Sequence, residues 1–84
     1  MLGPMSKLDR PALATKFLVA LHDVSRRNPV AWRRISAISA RTGIKGAQLD
    51  QVVAYVVTAG LVEQHVDDAT LVVLTDRGWR SAGN

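Results

Sequence analysis

The 84-residue chain contains no cysteine, only three prolines and four aromatic residues, and no long apolar run. Without cysteine, neither a disulfide framework nor a thiolate zinc site can hold the fold, so the core must do so alone. No apolar run approaches the roughly 20 residues needed to cross a bilayer, and the first residues lack the regions of a signal peptide. We therefore expect a soluble, unexported protein with a cytoplasmic location and no membrane partner.

Several kinds of catalytic site are also missing from the sequence. Nothing matches a nucleophile elbow or a glycine-rich phosphate loop, and His22 and His65 have no third ligand at a metal-like spacing. We expect a structural or surface role for both histidines. The predicted protein is not an enzyme and has no metal, no cofactor and no evident small-molecule ligand.

The length of the chain allows one domain, because so short a chain has no material for a second core. Hydrophobic residues make up 48% of the sequence, and the few aromatics leave valine, leucine, isoleucine and alanine to fill the core. Residues 1–5 are interpreted as an N-terminal tail or cloning remnant, because Gly3 and Pro4 directly precede Met5. Residues 6–84 are predicted to form the domain.

The net charge of +4 is distributed unevenly along the chain. Residues 1–45 contain nine lysines and arginines against two aspartates, whereas residues 46–84 contain two arginines against five acidic residues. A basic surface would therefore come from the N-terminal half.

The first predicted helix follows Asp9, which can cap it, and contains Pro11 in its early turn. Asn28 and Pro29 end it near Arg27, because proline cannot continue the helical hydrogen bonds. Residues 30–34 fit either a short strand or the opening turn of the next helix. The apolar stripe of the first helix contains Leu13, Phe17, Leu21 and Val24.

The second predicted helix is short, with Ser36 as its cap and Gly43 at its C-terminal end. Ile44 then returns to the core. A third helix is predicted over residues 46–59, and its many β-branched residues mean that tertiary burial must stabilise it. Its apolar stripe contains Leu49, Val52, Val53, Val56 and Val57.

The last part of the chain predicts a hairpin and a final helical turn. Gly60 is the expected left-handed residue that ends the third helix. Residues 61–66 and 70–74 are prone to form strands, and the acidic turn 67–69 separates them. Thr75 can cap a last helical turn, in which Trp79 is expected to pack against the first helix.

Residues 35–79 resemble the winged helix-turn-helix superfamily, and most closely the multiple-antibiotic-resistance and phenolic-acid-responsive regulators. The resemblance is carried by the segment Ile38-Ser39-Ala40-Arg41-Thr42-Gly43-Ile44, by Gly60-Leu61-Val62-Glu63 and by Leu74-Thr75-Asp76-Arg77-Gly78. The predicted fold class is therefore α+β: a winged helix-turn-helix with three helices, a C-terminal β-hairpin wing and a short final helical turn.

The resemblance implies a small DNA-binding protein, a transcriptional regulator whose partner is double-stranded DNA and whose recognition helix is 46–59. Carried over by position, the base-reading candidates on this helix are Gln48, Gln51, Tyr55 and Thr58. The candidates for contacts to DNA phosphates are Arg33, Arg34, Arg41 and Lys45.

The sequence departs from the usual chemistry of that superfamily at the surface that would meet DNA. The outward side of helix 46–59 has no lysine or arginine, and Asp67 and Asp68 occupy the predicted tip of the wing. Phosphate neutralisation supplies nearly all non-specific affinity for DNA. The alternative function is therefore a protein–protein interaction or self-association module, with a protein partner or homodimer bound by the uncharged face of this helix.

Overall fold

The computed structural model describes the backbone of residues 5–83 and the side chains of residues 11–83. The elements are α1 (Met5–Ser25), β1 (Arg33–Arg34), α2 (Ile35–Thr42), α3 (Gly46–Thr58), β2 (Val62–Gln64), β3 (Leu71–Leu74) and α4 (Asp76–Gly83). The strands form one antiparallel sheet in the order β1-β3-β2. The α+β class is confirmed. The predicted final turn is instead a helix of eight residues, so the described chain has four helices rather than three.

Helix α1 begins earlier than predicted. Its first residue is Met5, so the expected start after Asp9 is wrong, and Pro11 lies inside the helix. Proline removes one helical hydrogen bond, but the turn upstream of it is retained. The side chain of Asp9 and residues 1–4 of the expected tail lie outside the described residues. Although α1 has 21 residues, no helix in the described part of the chain is long and apolar enough to span a membrane.

The start of helix α2 is held by a hydrogen bond to the sheet and not by a side-chain cap. The backbone N–H of Ile35 donates to the carbonyl of Thr70 at 2.8 Å, which continues the pairing of β1 with β3 into the first helical residue. The prediction that Ser36 caps α2 is therefore wrong, because Ser36 lies within the helix. Gly43 ends α2 as predicted, in the left-handed conformation with φ 78°, and Ile44 is buried as predicted.

Helix α3 ends in a Schellman motif built on Gly60, which has φ 77°. The N–H of Leu61 donates to the carbonyl of Val56, and the N–H of Gly60 donates to that of Val57, both at 3.0 Å. The left-handed conformation is costly for residues with a Cβ atom. The predicted glycine signal is thus confirmed, although the helix stops at Thr58, one residue earlier than expected.

The predicted hairpin is present with shorter strands. Glu63 pairs with Val73 in the register of β2 and β3, and the pairing ends with a hydrogen bond from the N–H of His65 to the carbonyl of Leu71 at 2.9 Å. The chain then turns, with the N–H of Asp68 donating to the carbonyl of His65 at 3.3 Å and that of Leu71 donating to Asp68 at 3.0 Å. Residues 66 and 70, expected in the strands, therefore belong to the turn.

The core lies between the helices and one face of the sheet. Helix α1 packs against α2, α3 and α4, and α3 packs against β2. The predicted helical stripes supply five of the thirteen buried hydrophobic residues in the described part of the chain, and their other four members are partly buried: Leu13, Val24, Leu49 and Val57. The most deeply buried hydrophobic residues are Phe17, Leu21, Ile38, Val52, Val56 and Val72.

Candidate nucleic-acid interface

The face of α3 opposite its buried stripe is exposed. Val52, Val53 and Val56 are buried, which turns the predicted base-reading residues outward. Gln48, Gln51 and Thr58 are all exposed. These side chains present amide and hydroxyl groups, which can donate to and accept from base edges.

Tyr55, the fourth predicted base reader, lies at the side of this exposed face. Its side chain is 43% exposed, and it lines a cavity with Leu18 and Val19 of α1 and Ala82 of α4. Part of the ring therefore faces the neighbouring helices. Its hydroxyl is the group available for a polar contact from this position.

A groove runs along the other side of α3, between this helix, the start of α2 and the hairpin. This α3 groove has a volume of about 760 Å³. Two of the predicted phosphate-binding residues, Arg34 and Lys45, line it together with Asp50 and Ala54 of α3. The structure thus brings two cations from different elements to one surface beside the exposed face of α3.

The other two predicted phosphate-binding residues do not line the α3 groove. The Arg41 guanidinium donates to the Asp23 carboxylate at 2.6 Å, and Arg26 contacts the same carboxylate at 3.3 Å. Arg33 is half-buried, and its Nε is buried without a hydrogen-bond partner among the described residues. Adjacent residues of a strand point to opposite faces, which separates Arg33 from Arg34.

Of the two carboxylates at the acidic hairpin tip, that of Asp68 has a structural role. Asp68 accepts hydrogen bonds from the N–H of Thr70 at 3.0 Å and from its hydroxyl. These bonds, helped by the nearby charge of Arg34, hold the pKa of Asp68 below its ordinary value of 3.8. Asp67 is exposed, and its N–H donates to the His65 ring at 3.0 Å. The negative charge at Asp68 therefore helps to form the turn.

Side chains at the start of α4 donate hydrogen bonds to backbone carbonyls at the end of α3. The Thr75 hydroxyl donates to the carbonyl of Gly60 at 2.6 Å and accepts the N–H of Gly78 at 3.1 Å, which confirms Thr75 as the helix cap. Arg77 donates to the carbonyl of Ala59 at 3.3 Å. A cation at this position also complements the dipole at the C-terminus of α3. The two sequence motifs 60–63 and 74–78 are thus in direct contact.

The two histidines each pack edge-on against a tryptophan. The rings of His22 and Trp79 lie 4.5 Å apart, and those of Trp32 and His65 lie 4.7 Å apart. Trp79 therefore packs against α1 as predicted. Within residues 11–83, no three His, Asp or Glu side chains are grouped so that they could hold a metal ion.

The structure adds residues to the α3 groove that the sequence did not indicate. Ser36, Gln64 and Thr70 also line it. They meet because β1 pairs with β3, and this pairing joins segments far apart in the sequence. A strand of two residues is too short to show an alternating pattern, so the sequence contains no signal for this contact.

Comparison with family models, with curated proteins and with solved structures found no match to this chain.

Proposed function

We propose that this domain is a winged helix-turn-helix protein that binds double-stranded DNA as a transcriptional regulator, with α3 in the major groove. The observation that carries the proposal is that Arg34 and Lys45 line one groove beside the exposed face of α3. The order of the elements supports it: a short helix, a glycine turn, a helix with a free polar face and an antiparallel hairpin.

In this arrangement the two surfaces have different roles. Gln48, Gln51 and Thr58 face the base edges, where amide groups pair with adenine. Arg34 and Lys45 contact phosphates of the strand that borders the groove, and the start of α2 adds the positive end of its dipole. Phosphate contacts fix the register of the protein, and base contacts supply the sequence preference.

The charges of this surface predict weak, moderately salt-dependent binding. Helix α3 itself has no lysine or arginine, and Asp50 lines the same groove as the two cations. Each phosphate contact changes the slope of log K against log salt by about 0.9. Two contacts therefore give a slope of about −1.8, which is shallow for a DNA-binding protein.

The proposal is tested by fluorescence anisotropy with labelled random duplex DNA at several salt concentrations. Arg34→Ala with Lys45→Ala is expected to flatten the slope by about 1.8. Arg80→Ala is the matched control, since it removes an exposed cation of α4 that does not line the α3 groove. Identical slopes for the wild type and the double variant would refute the assignment of these two residues. Failure of the wild type to bind at low salt would refute DNA binding itself.

A second candidate function is a protein-interaction or self-association module that uses the same helix. The observation that favours it is the lack of charge on the exposed centre of α3, formed by Ala47, Gln51, Ala54 and Thr58. Small uncharged side chains suit a protein surface better than a polyanion.

The substitution Gln51→Arg separates the two functions. It adds a cation to the centre of the face, so DNA binding by α3 is strengthened, whereas a neutral protein interface acquires an unpaired charge and weakens. The readouts are duplex affinity by anisotropy and the mass of the free protein by sedimentation. A wild-type dimer that Gln51→Arg dissociates, together with no duplex binding by either protein, would establish the second candidate.

A further inference from the structure

A second groove lies on the outer face of the sheet. This sheet groove has a volume of about 480 Å³ and is lined by Val30, Trp32, Glu63, Val73, Asp76 and Trp79, with Pro29 at its edge. Val30 is 81% exposed and Trp32 is 38% exposed. Two large apolar side chains are thus held at the surface in one depression, an arrangement that marks interaction sites more often than scattered apolar residues do.

The register of the strands places this groove on the side of the sheet away from α3. Val72 belongs to the core cluster, whereas the neighbouring Val73 is buried but lies outside that cluster. Glu63 pairs with Val73, and Trp32 falls opposite Val73 when the register of β1 and β3 is continued by one residue. These three side chains therefore share the outer face.

The charges at the sheet groove are all negative. Glu63 and Asp76 are the charged residues that line it within the described part of the chain, although the whole chain has a net charge of +4. Two nearby cationic or titratable groups are otherwise engaged: Arg77 donates to the carbonyl of Ala59, and His65 packs edge-on against Trp32. Indole rings and carboxylates that line one groove suit a guanidinium, which stacks on an aromatic ring and forms charge-assisted hydrogen bonds with a carboxylate.

We propose that the sheet groove docks a short segment of a partner protein in which arginine stands beside an apolar side chain. The guanidinium stacks on Trp32 or Trp79 and pairs with Glu63 or Asp76. The apolar side chain covers Val30, which is 81% exposed, and removes its surface from water. This site is distinct from the proposed DNA-binding surface, because no residue lines both the sheet groove and the α3 groove.

The test uses the full chain, whose only two tryptophans both line the sheet groove. Their two indole N–H signals in an ¹⁵N-correlated NMR spectrum therefore report on this site. The probes are the blocked peptides acetyl-Arg-Leu-Arg-Leu-amide and acetyl-Glu-Leu-Glu-Leu-amide, which have the same apolar content and opposite charge. The arginine peptide is expected to shift both indole signals in a saturable manner, and the glutamate peptide to leave them in place.

Two sets of variants divide the binding into its charged and apolar parts. The double variant Glu63→Gln with Asp76→Asn is expected to bind the arginine peptide about fivefold more weakly, because each exposed charge pair contributes modestly to the affinity. Val30→Ser is expected to weaken the binding of the same peptide, because it removes an apolar contact. Val66→Ser is the matched control, since Val66 is 94% exposed and does not line this groove. Circular dichroism verifies that each variant is folded.

Three results would overturn the proposal. The first is an absence of indole shifts at millimolar arginine peptide. The second is equal binding of both peptides with no loss in the charge-removing double variant, which would reduce the site to non-selective apolar adsorption. The third is a shift of the indole signals on raising the protein concentration alone, which would make a second copy of this chain the occupant.

Discussion

At the scale of single residues, Gly78 is the position where helix propensity and packing oppose each other. It lies in the first turn of α4, where alanine is ordinarily favoured over glycine by about 1 kcal/mol. A Cβ atom on Gly78, however, would overlap the carbonyl oxygen of Leu61 and lie 2.9 Å from a methyl carbon of Leu74. The first contact is with backbone and cannot be relieved by rotating a side chain. Packing therefore decides whether alanine at position 78 stabilises or destabilises the protein.

Gly78→Ala is expected to destabilise the protein by about 2 kcal/mol, because forced overpacking costs about 1–3 kcal/mol and outweighs the propensity gain. Urea unfolding followed by circular dichroism measures the change. Ser81→Ala, at an exposed position of the same helix, serves as the control and is expected to change the stability by no more than about 0.5 kcal/mol. A Gly78→Ala protein as stable as the wild type would mean that α4 does not approach Leu61 this closely.

At the scale of elements, the hairpin turn depends on the ionised form of Asp68. Its carboxylate accepts two hydrogen bonds from Thr70, and these bonds hold its pKa below the ordinary value. A carboxyl group with a lowered folded pKa contributes stability that is fully present above the unfolded value. That contribution is lost as the pH falls through the folded pKa. The turn should therefore loosen only under acidic conditions, below about pH 4.

This pH dependence is expected to appear at the Thr70 amide, whose NMR signal should move when the Asp68 carboxyl is protonated. Asp68→Asn should abolish the acid transition of that signal, because the amide side chain does not titrate in this range. Asp67→Asn is the control and should preserve the transition, since no hydrogen bond of the Asp67 side chain is found in the described residues. A Thr70 amide that titrates identically in both variants would assign the transition to another group.

The elements differ in how well the sequence predicts them, and the difference has physical causes. Helix α3 is predicted almost to the residue, because five apolar side chains at helical spacing and a C-terminal glycine agree. The start of α2 is predicted wrongly, since the hydrogen bond from Ile35 to Thr70 comes from tertiary pairing and replaces the local cap expected at Ser36. The start of α1 is missed because Asp9 and Pro11 match the cap and first turn of a helix, whereas the helix continues upstream of both to Met5.

At the scale of the whole molecule, the separation of charge along the chain does not carry over into space. The basic N-terminal half supplies β1, and β1 pairs with β3 from the acidic half. Arg34 therefore lies close enough to Asp68 to lower its pKa. Counting charges along the chain identifies which residues are cationic. Only the three-dimensional arrangement shows that Arg34 and Lys45 share a groove, while Arg41 of α2 is paired with Asp23 of α1.

The molecule has two grooves with no lining residue in common, and their responses to a ligand should therefore be separable. In the proposed function DNA contacts α3 and the α3 groove, whereas both tryptophans line the sheet groove, which shares no lining residue with the α3 groove. Adding duplex DNA is therefore expected to move the side-chain amide signals of Gln48 and Gln51 and to leave the two indole signals in place.

This prediction is checked in one NMR titration of the full chain with a short duplex at low salt. The glutamine signals are the internal positive control, since they report whether α3 meets the DNA at all. Indole shifts as large as the glutamine shifts would mean either that DNA also contacts the outer face or that binding repacks the sheet. Because core interiors are close-packed and deform little, the first explanation would be favoured, and the acidic sheet groove would then be an unexpected place for a polyanion.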